Sequence, residues 1–256
     1  MRDKIFIKET FCSELDGFFN DIEELVSDEA RFNVVKEDVR TRVGHISLKY
    51  EGTSLDVMVK CFKYKGVFNT AARRVAGMGS RARSLYDISS KLFEAGLNVP
   101  EPIGFKESKQ DRNSYYVSLR IADSENLAVL YKDGLDKPKD VAKALASALG
   151  KWHLAGALHG DLKWSNILIL TLPQGMDVLF VDIDQSRILA SMDAKGMAKD
   201  MERFYRYAIE LKALEWTEEL FLPVYEKKLG EELFAELDIE AVKQKARKIF
   251  EDRKRR

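Results

Sequence analysis

The chain has 256 residues, and 42 lysines and arginines balance 42 aspartates and glutamates. The length suits one large domain or two small lobes, and the balance gives no overall attraction for nucleic acid, whose readers favour a basic face. The two cysteines, Cys12 and Cys61, and three histidines form no CxxC pair and no zinc-ligand spacing. No apolar run approaches the roughly 18 residues of a membrane span, and Met1 to Lys8 lacks a signal-peptide core. The expected compartment is therefore the reducing cytoplasm.

Ser13 to Ala30 carries apolar residues at Leu15, Phe18, Phe19, Ile22, Leu25 and Val26, which is helical spacing. Three strands are expected next, over 31–35, 43–50 and 55–62, with Glu51-Gly52-Thr53-Ser54 turning a hairpin between the last two. Residues 79–95 return to helical spacing; Gly96 stops that helix, and Pro100-Glu101-Pro102 enforces an extended chain. Tyr115 to Ile121 reads as a strand, and Glu125 to Tyr131 as a loop or short helix. Pro138 opens a long helix through Ala142, Leu145, Leu149 and Trp152 towards Ala155, before a Gly156 stop. A second hairpin, Ile167 to Leu170 with Val178 to Val181, turns through Pro173 and Gly175, and from Ala194 the chain reads as helices. Strands with one helix, then a helical half, make an α+β pattern. The boundary falls near Ser124, dividing the chain into a strand-rich N-lobe, 1–123, and a mainly helical C-lobe, 124–256.

Between the long helix and the second hairpin lies His159-Gly160-Asp161-Leu162-Lys163-Trp164-Ser165-Asn166. Phosphoryl transfer from ATP needs a carboxylate beside the attacking hydroxyl, positive charge on the moving group, and oxygen ligands for Mg²⁺. Asp161 offers the carboxylate, Lys163 the charge and Asn166 a neutral oxygen for the metal. The spacing resembles the kinase catalytic loop; a plain polar loop after a helix is the alternative. Asp182 ends the apolar run Val178-Leu179-Phe180-Val181, where a carboxylate would meet Mg²⁺, although an Asp turn closing a strand is common. Asp184 remains open as a second ligand or a hydrogen-bond acceptor. Lys60 shares a strand face with Met58 and Phe62, and a lysine on an apolar face needs an anionic partner. In kinases that position grips the ATP phosphates; an exposed edge lysine is the competing reading.

With these residues in kinase order, the chain resembles the bacterial lipopolysaccharide core sugar kinases of the Kdo/WaaP type, within the protein-kinase-like superfamily. The more specific cues are Gly79-Ser80-Arg81-Ala82-Arg83-Ser84 before a helix, and Leu92-Phe93-Glu94-Ala95-Gly96-Leu97-Asn98-Val99-Pro100-Glu101-Pro102-Ile103. Val181-Asp182-Ile183-Asp184 is similar to that family's Ile-Asp-Phe-Asp. The similarity runs from Val57 to Arg187. It implies a two-lobed protein-kinase-like fold and direct transfer of the ATP γ-phosphoryl, with Asp161 as base and Lys163 stabilising the moving charge. Asn166 and Asp182 would hold Mg²⁺, Lys60 would hold the phosphates, and Asp87 would position Lys60. It also implies a sugar or glycolipid acceptor, Kdo or heptose of the lipid A–core, and a peripheral contact with the inner membrane surface; the charge balance adds the expectation of no nucleic-acid partner. Asp200, by the same likeness, braces the catalytic loop from a neighbouring helix.

The sequence departs from the kinase pattern in three places. Lys36 to Arg42 has no glycine where a Gly-rich loop would approach phosphates; the helix after Lys60 has no early glutamate; and Asp182-Ile183-Asp184 lacks the glycine of Asp-Phe-Gly. An aminoglycoside- or choline-type kinase, a protein kinase and a pseudokinase scaffold remain alternatives. Arg73, Arg74, Arg81 and Arg83 form a basic cluster, and 243–256 reads as a basic amphipathic tail; each is a solvated face or a contact for an anionic surface.

Overall fold

The computed structural model describes residues 3–64, 79–173 and 175–255, without the side chains of 12–14. By internal contacts the chain divides into two units, Met1–Ser90 with Pro100–Ile121, and Lys91–Val99 with Ala122–Arg256. Arg73 and Arg74, expected in a basic cluster, lie outside the described residues.

The first unit carries six strands: β1 (Lys4–Ile7), β2 (Asn33–Glu37), β3 (Thr41–Tyr50), β4 (Thr53–Phe62), β5 (Pro102–Glu107) and β6 (Ser114–Leu119). They form one sheet in the order β1-β5-β6-β4-β3-β2. Period-two alternation on β4 sends Val57, Val59 and Cys61 into a core shared with Leu15, Phe19 and Ile22. Lys60 therefore shares the opposite face with Met58 and Phe62, as the alternation predicts. The single helix expected over 13–30 is two, α1 (Cys12–Asn20) and α2 (Ile22–Ser27), with Asp21 between them at φ −97°, ψ 7°. Both present their apolar residues to one core, so the apolar spacing runs across the break.

Lys106 on β5 is 2% exposed. Its ammonium donates to Glu23 at 2.7 Å and to the Asn20 carbonyl at 2.9 Å, and Asp3 lies 3.4 Å away. A charge removed from water persists only when paired in this way. Strands β1 and β5 were not expected from the sequence; β1 is only four residues, and prolines punctuate the entry to β5.

Helix α3 (Arg81–Glu94) buries Ala82, Leu85, Tyr86, Ser89 and Leu92. It ends at Gly96, φ 68°. Beyond it the Asn98 carbonyl accepts from Phe180 N–H at 2.8 Å, and the Asn98 amide donates to Asp177 at 2.9 Å. These bonds attach 91–99 to the second unit.

That unit opens with β7 (Ser124–Asn126) and α4 (Leu127–Lys132), whose first turn is capped by Asn126 Oδ1 accepting from Val129 N–H at 3.0 Å. Helix α5 (Pro138–Leu154) follows, with proline in its first turn as expected. Strands β8 (Ala157–Leu158), β9 (Ile167–Leu172), β10 (Gly175–Phe180) and β11 (Arg187–Ile188) form two small sheets, β10-β9-β7 and β11-β8. The helical remainder includes α6 (Ala194–Glu210), a π-helical turn at Thr217–Phe221, α7 (Leu222–Leu229), α8 (Glu231–Glu236) and α9 (Ile239–Lys254). The α+β pattern read from the sequence is thus the observed one.

Helix α9 carries the expected basic tail. Its Ile239, Val242 and Ala246 are buried, and Lys243 lies 3.4 Å from Glu218 and 5.9 Å from the centre of the Tyr205 ring on α6. The apolar stripe of the tail is thereby spent inside the protein, which leaves its basic face outward. Among the described residues no helix is long and apolar enough to cross a membrane.

Candidate active site

The loop between β8 and β9 is held from three sides. Asp200, on the second turn of α6, is buried and sends both carboxylate oxygens to backbone donors: Oδ2 accepts from His159 N–H at 2.6 Å and Oδ1 from Gly160 N–H at 2.8 Å. These two bonds brace the loop from α6, as the kinase resemblance implies for Asp200. Gly160 adopts φ 77°, and a Cβ there would lie 2.7 Å from the Gln185 carbonyl oxygen. Only glycine meets both demands without strain. Ser186 Oγ donates to the His159 carbonyl at 3.0 Å, tying the loop to the segment after β10.

His159 itself points inward, stacked on Trp152 with ring centres 6.1 Å apart, and its Nε2 bonds the Val181 carbonyl at 3.1 Å. Burial pushes its imidazole below the ordinary value, outweighing the nearby Asp200 and Asp161 carboxylates. Burial works to raise the Asp200 carboxyl, but contact with His153 and the N–H donated by His159 hold it below the usual range. His153 is fully buried, 2.5 Å from the Tyr225 hydroxyl and 3.5 Å from Asp200 Oδ2.

From this frame three predicted residues converge. Asp161 is half-buried; its Oδ2 lies 3.2 Å from Lys163 Nζ. The Asn166 amide nitrogen donates to the Asp161 carbonyl at 3.0 Å and lies 3.5 Å from its Oδ2. That use of the NH₂ group turns Asn166 Oδ1 away, and among the described residues Oδ1 accepts no hydrogen bond. Val181 N–H donates to the Asn166 carbonyl at 3.0 Å, which brings the end of β10 beside the loop. Asp182 follows immediately, in the left-handed region at φ 58°, ψ 45°. A non-glycine residue held there costs energy, and such positions persist where the surroundings over-determine them, often at functional sites. The neutral oxygen of Asn166 and the carboxylate of Asp182 suit a hard cation such as Mg²⁺, which takes one or two protein oxygens and completes its shell with phosphates and water. The described residues contain no cluster of three His, Cys, Asp or Glu side chains set for a metal, so a tighter all-protein cage is not what this donor set offers.

Arg203 was not singled out from the sequence. It lies on α6 one turn after Asp200 and donates through Nη1 to Asp161 Oδ1. Arg203 reaches the loop from α6 and His153 reaches Asp200 from α5, and no local motif marks them. The three-residue step from Asp200 to Arg203, placing both on one face of a helix, is the signal that could have identified Arg203 once Asp200 was assigned.

Lys60 and Asp87 belong to the first unit. The Lys60 ammonium lies 5.5 Å from the centre of the Phe62 ring. Asp87 does not serve as its partner. The Asp87 side chain is 56% exposed, and its ion pair is with Arg83, one turn earlier on the same helix, at 3.9 Å. The reason is helical period: Ala82, Leu85, Tyr86 and Ser89 take the inward face of α3, and position 87 falls opposite them. Arg81 stacks over the same Phe62 ring, 4.3 Å from its centre. Of the expected basic cluster, Arg81 and Arg83 are thus engaged within this unit.

Residues 73–225, well over half of the chain, match the lipopolysaccharide kinase (Kdo/WaaP) family. A 3-deoxy-D-manno-octulosonic acid kinase from Haemophilus influenzae (strain PittEE) is 26% identical over 110 residues, 41% of this chain and 45% of that protein. The match therefore spans less than half the length of that relative. A solved structure described as WaaP in complex with acyl carrier protein superposes with a TM-score of 0.66 at 20% identity, over 96% of this chain and 99% of that one. That likeness establishes the fold, which is protein-kinase-like. By the extent of the family match, this chain belongs to the lipopolysaccharide kinase (Kdo/WaaP) family.

Proposed function

We propose that the protein is an ATP-dependent kinase that phosphorylates a sugar hydroxyl of the lipopolysaccharide core, with an octulosonic acid such as Kdo preferred over heptose. The observation that carries this reading is the loop geometry: a carboxylate, Asp161, with Lys163 at 3.2 Å, and Asn166, whose carbonyl accepts from Val181 N–H at 3.0 Å and so brings the residue before Asp182 beside the loop. Family membership and the name of the Haemophilus relative support the substrate class.

Asp161 orients the acceptor hydroxyl and accepts its proton. The acceptor oxygen forms a bond to the γ-phosphorus as the bond to the β-bridging oxygen breaks, and the electron pair leaves with ADP. Lys163 supplies positive charge to the transferring oxygens, where little covalent chemistry is asked of the protein and electrostatic stabilisation dominates. Asn166 and Asp182 would hold Mg²⁺, which when bound neutralises the phosphate oxygens. Asp184 is the alternative carboxylate for that role. Lys60 is assigned the α- and β-phosphates from its strand position alone. The expected workplace is the cytoplasmic side of the inner membrane, where the outward basic face of α9 would meet anionic headgroups.

An acceptor screen with γ-labelled ATP tests the reading. It predicts label on an octulosonic acid glycoside or lipid A–core fraction, and none on aminoglycosides or generic protein. Label on an aminoglycoside alone would replace the acceptor, and no ATP-dependent transfer at all would favour a scaffold role.

A further inference from the structure

We propose that Arg203 forms an anion subsite beside Asp161, which takes the carboxylate or phosphate carried by the acceptor and so sets a preference for an acidic sugar. The inference rests on the phosphoryl-transfer reading above and deepens it by naming a residue for acceptor choice. Asp161 is a single carboxylate facing two cations: Lys163 at 3.2 Å from Oδ2, and Arg203 on Oδ1. Transfer chemistry at this carboxylate asks for one cation on the moving phosphoryl, the part given to Lys163. Arg203 is surplus to that need.

Its geometry fits an anion. Arg203 touches Asp161 through Nη1 only, and among the described residues its Nε and Nη2 make no hydrogen bond. A guanidinium presents a planar fork of donors that matches carboxylate or phosphate in a bidentate pair. The side chain is 35% exposed and so reachable. Its backbone is fixed, because α6 is pinned by Asp200 one turn earlier and by buried Phe204 and Tyr205 next to it. The nearest acid along the helix, Glu202, is already taken by Arg206 at 2.5 Å, so it does not neutralise Arg203. When an acidic acceptor enters, the guanidinium transfers its bond from Asp161 Oδ1 to the acceptor anion. Oδ1 is then released to receive the hydroxyl proton. A polycationic acceptor would find Arg203 repulsive.

The test uses the full-length protein, ATP, a carboxylated octulosonic glycoside and the methyl ester of the same glycoside. A second pair, a lipid A–core fraction before and after removal of its phosphates, tells a carboxylate from a phosphate as the bound anion. One charge-assisted pair supports a preference of roughly 10- to 100-fold. Wild type is expected to favour the charged member of one pair by about that factor in kcat/KM. Arg203→Gln should bring the ratio close to one, chiefly through KM for the charged acceptor, with Arg203→Lys in between. An unchanged ratio in an active Arg203→Gln variant would overturn the subsite while leaving the kinase reading intact. So would an equal fall in kcat on both acceptors, the mark of a residue that only positions Asp161. If Arg203→Gln does not fold, the wild-type ratio decides alone, and a value near one for both pairs refutes the subsite. Wild type acting only on neutral or cationic acceptors would remove the proposed acceptor and this inference together.

Discussion

Replacing Asp161 with Asn keeps the shape of the loop but removes the proton acceptor and its charge. General-base contributions run at about 10²–10⁴-fold in rate. Turnover of the Asp161→Asn variant should fall by at least that much, with ATP binding by calorimetry little changed; near-normal turnover would remove Asp161 from its role. Asp182→Ala should weaken Mg²⁺-dependent ATP binding more than Asp184→Ala, because Asp182 is the carboxylate fixed at the strand end. A larger loss with Asp184→Ala would exchange the two assignments. Asp87→Ala should shift stability by no more than about 0.5 kcal/mol and leave ATP binding alone, since a surface pair within one helix contributes little. The Asp161, Lys163 and Asn166 cluster was legible in the sequence because its members lie within six residues and the loop brings them together locally. Asp87 has the charge to pair with Lys60, but it falls on the outer face of α3, opposite Ala82, Leu85, Tyr86 and Ser89. Arg203 stayed hidden because its bond to Asp161 spans 42 residues of chain.

At the scale of elements, helix α6 acts as the frame on which the loop is hung. Asp200→Ala would strip the acceptor from two buried N–H groups, each costing about 1–3 kcal/mol when left unpaired. The variant should melt lower and lose turnover, while Asp200→Asn, which keeps one acceptor oxygen, should retain part of both. Equal melting temperatures for wild type and Asp200→Ala would contradict the brace. The same frame gives a pH dependence. Burial holds His159 below its ordinary value of 6.5, so as the pH falls the unfolded chain takes up this proton first. The stability contributed by neutral His159 is therefore complete above that ordinary value and lost as the pH falls through it towards the lower folded value. The Asp200 contribution has the same direction but is lost only below the usual carboxylate range. A melting temperature that declines between about pH 7.5 and about pH 5.5 is expected, with the decline flattened in His159→Gln. A flat wild-type profile over that range would contradict it. The long helix α5 and the hairpin β9–β10 were readable from period and punctuation alone. Strands β1, β7, β8 and β11 were not, because strands of two to four residues carry too little pattern and exist through their partners.

For the whole molecule, the α+β order and the family likeness were both in the sequence, from Val57 onward. The division into units was less so. Residues 91–99 leave the first unit through the bonds of Asn98 to β10, a pairing across some 80 residues that no local feature announces. The tail was read as amphipathic, and its apolar stripe turned out to be spent on packing against α6, so any membrane contact by this segment would rest on its basic face. The central claim is that this chain moves the ATP γ-phosphoryl directly to a sugar hydroxyl, with Asp161 as the base that takes the hydroxyl proton. The measurement that tests it most directly is transfer of label from γ-labelled ATP to an octulosonic acid glycoside, wild type beside Asp161→Asn at equal fold content. The account predicts labelled sugar phosphate with wild type and a loss of at least about 100-fold with the variant. Absence of labelled sugar with wild type, or equal labelling by both proteins, would contradict it.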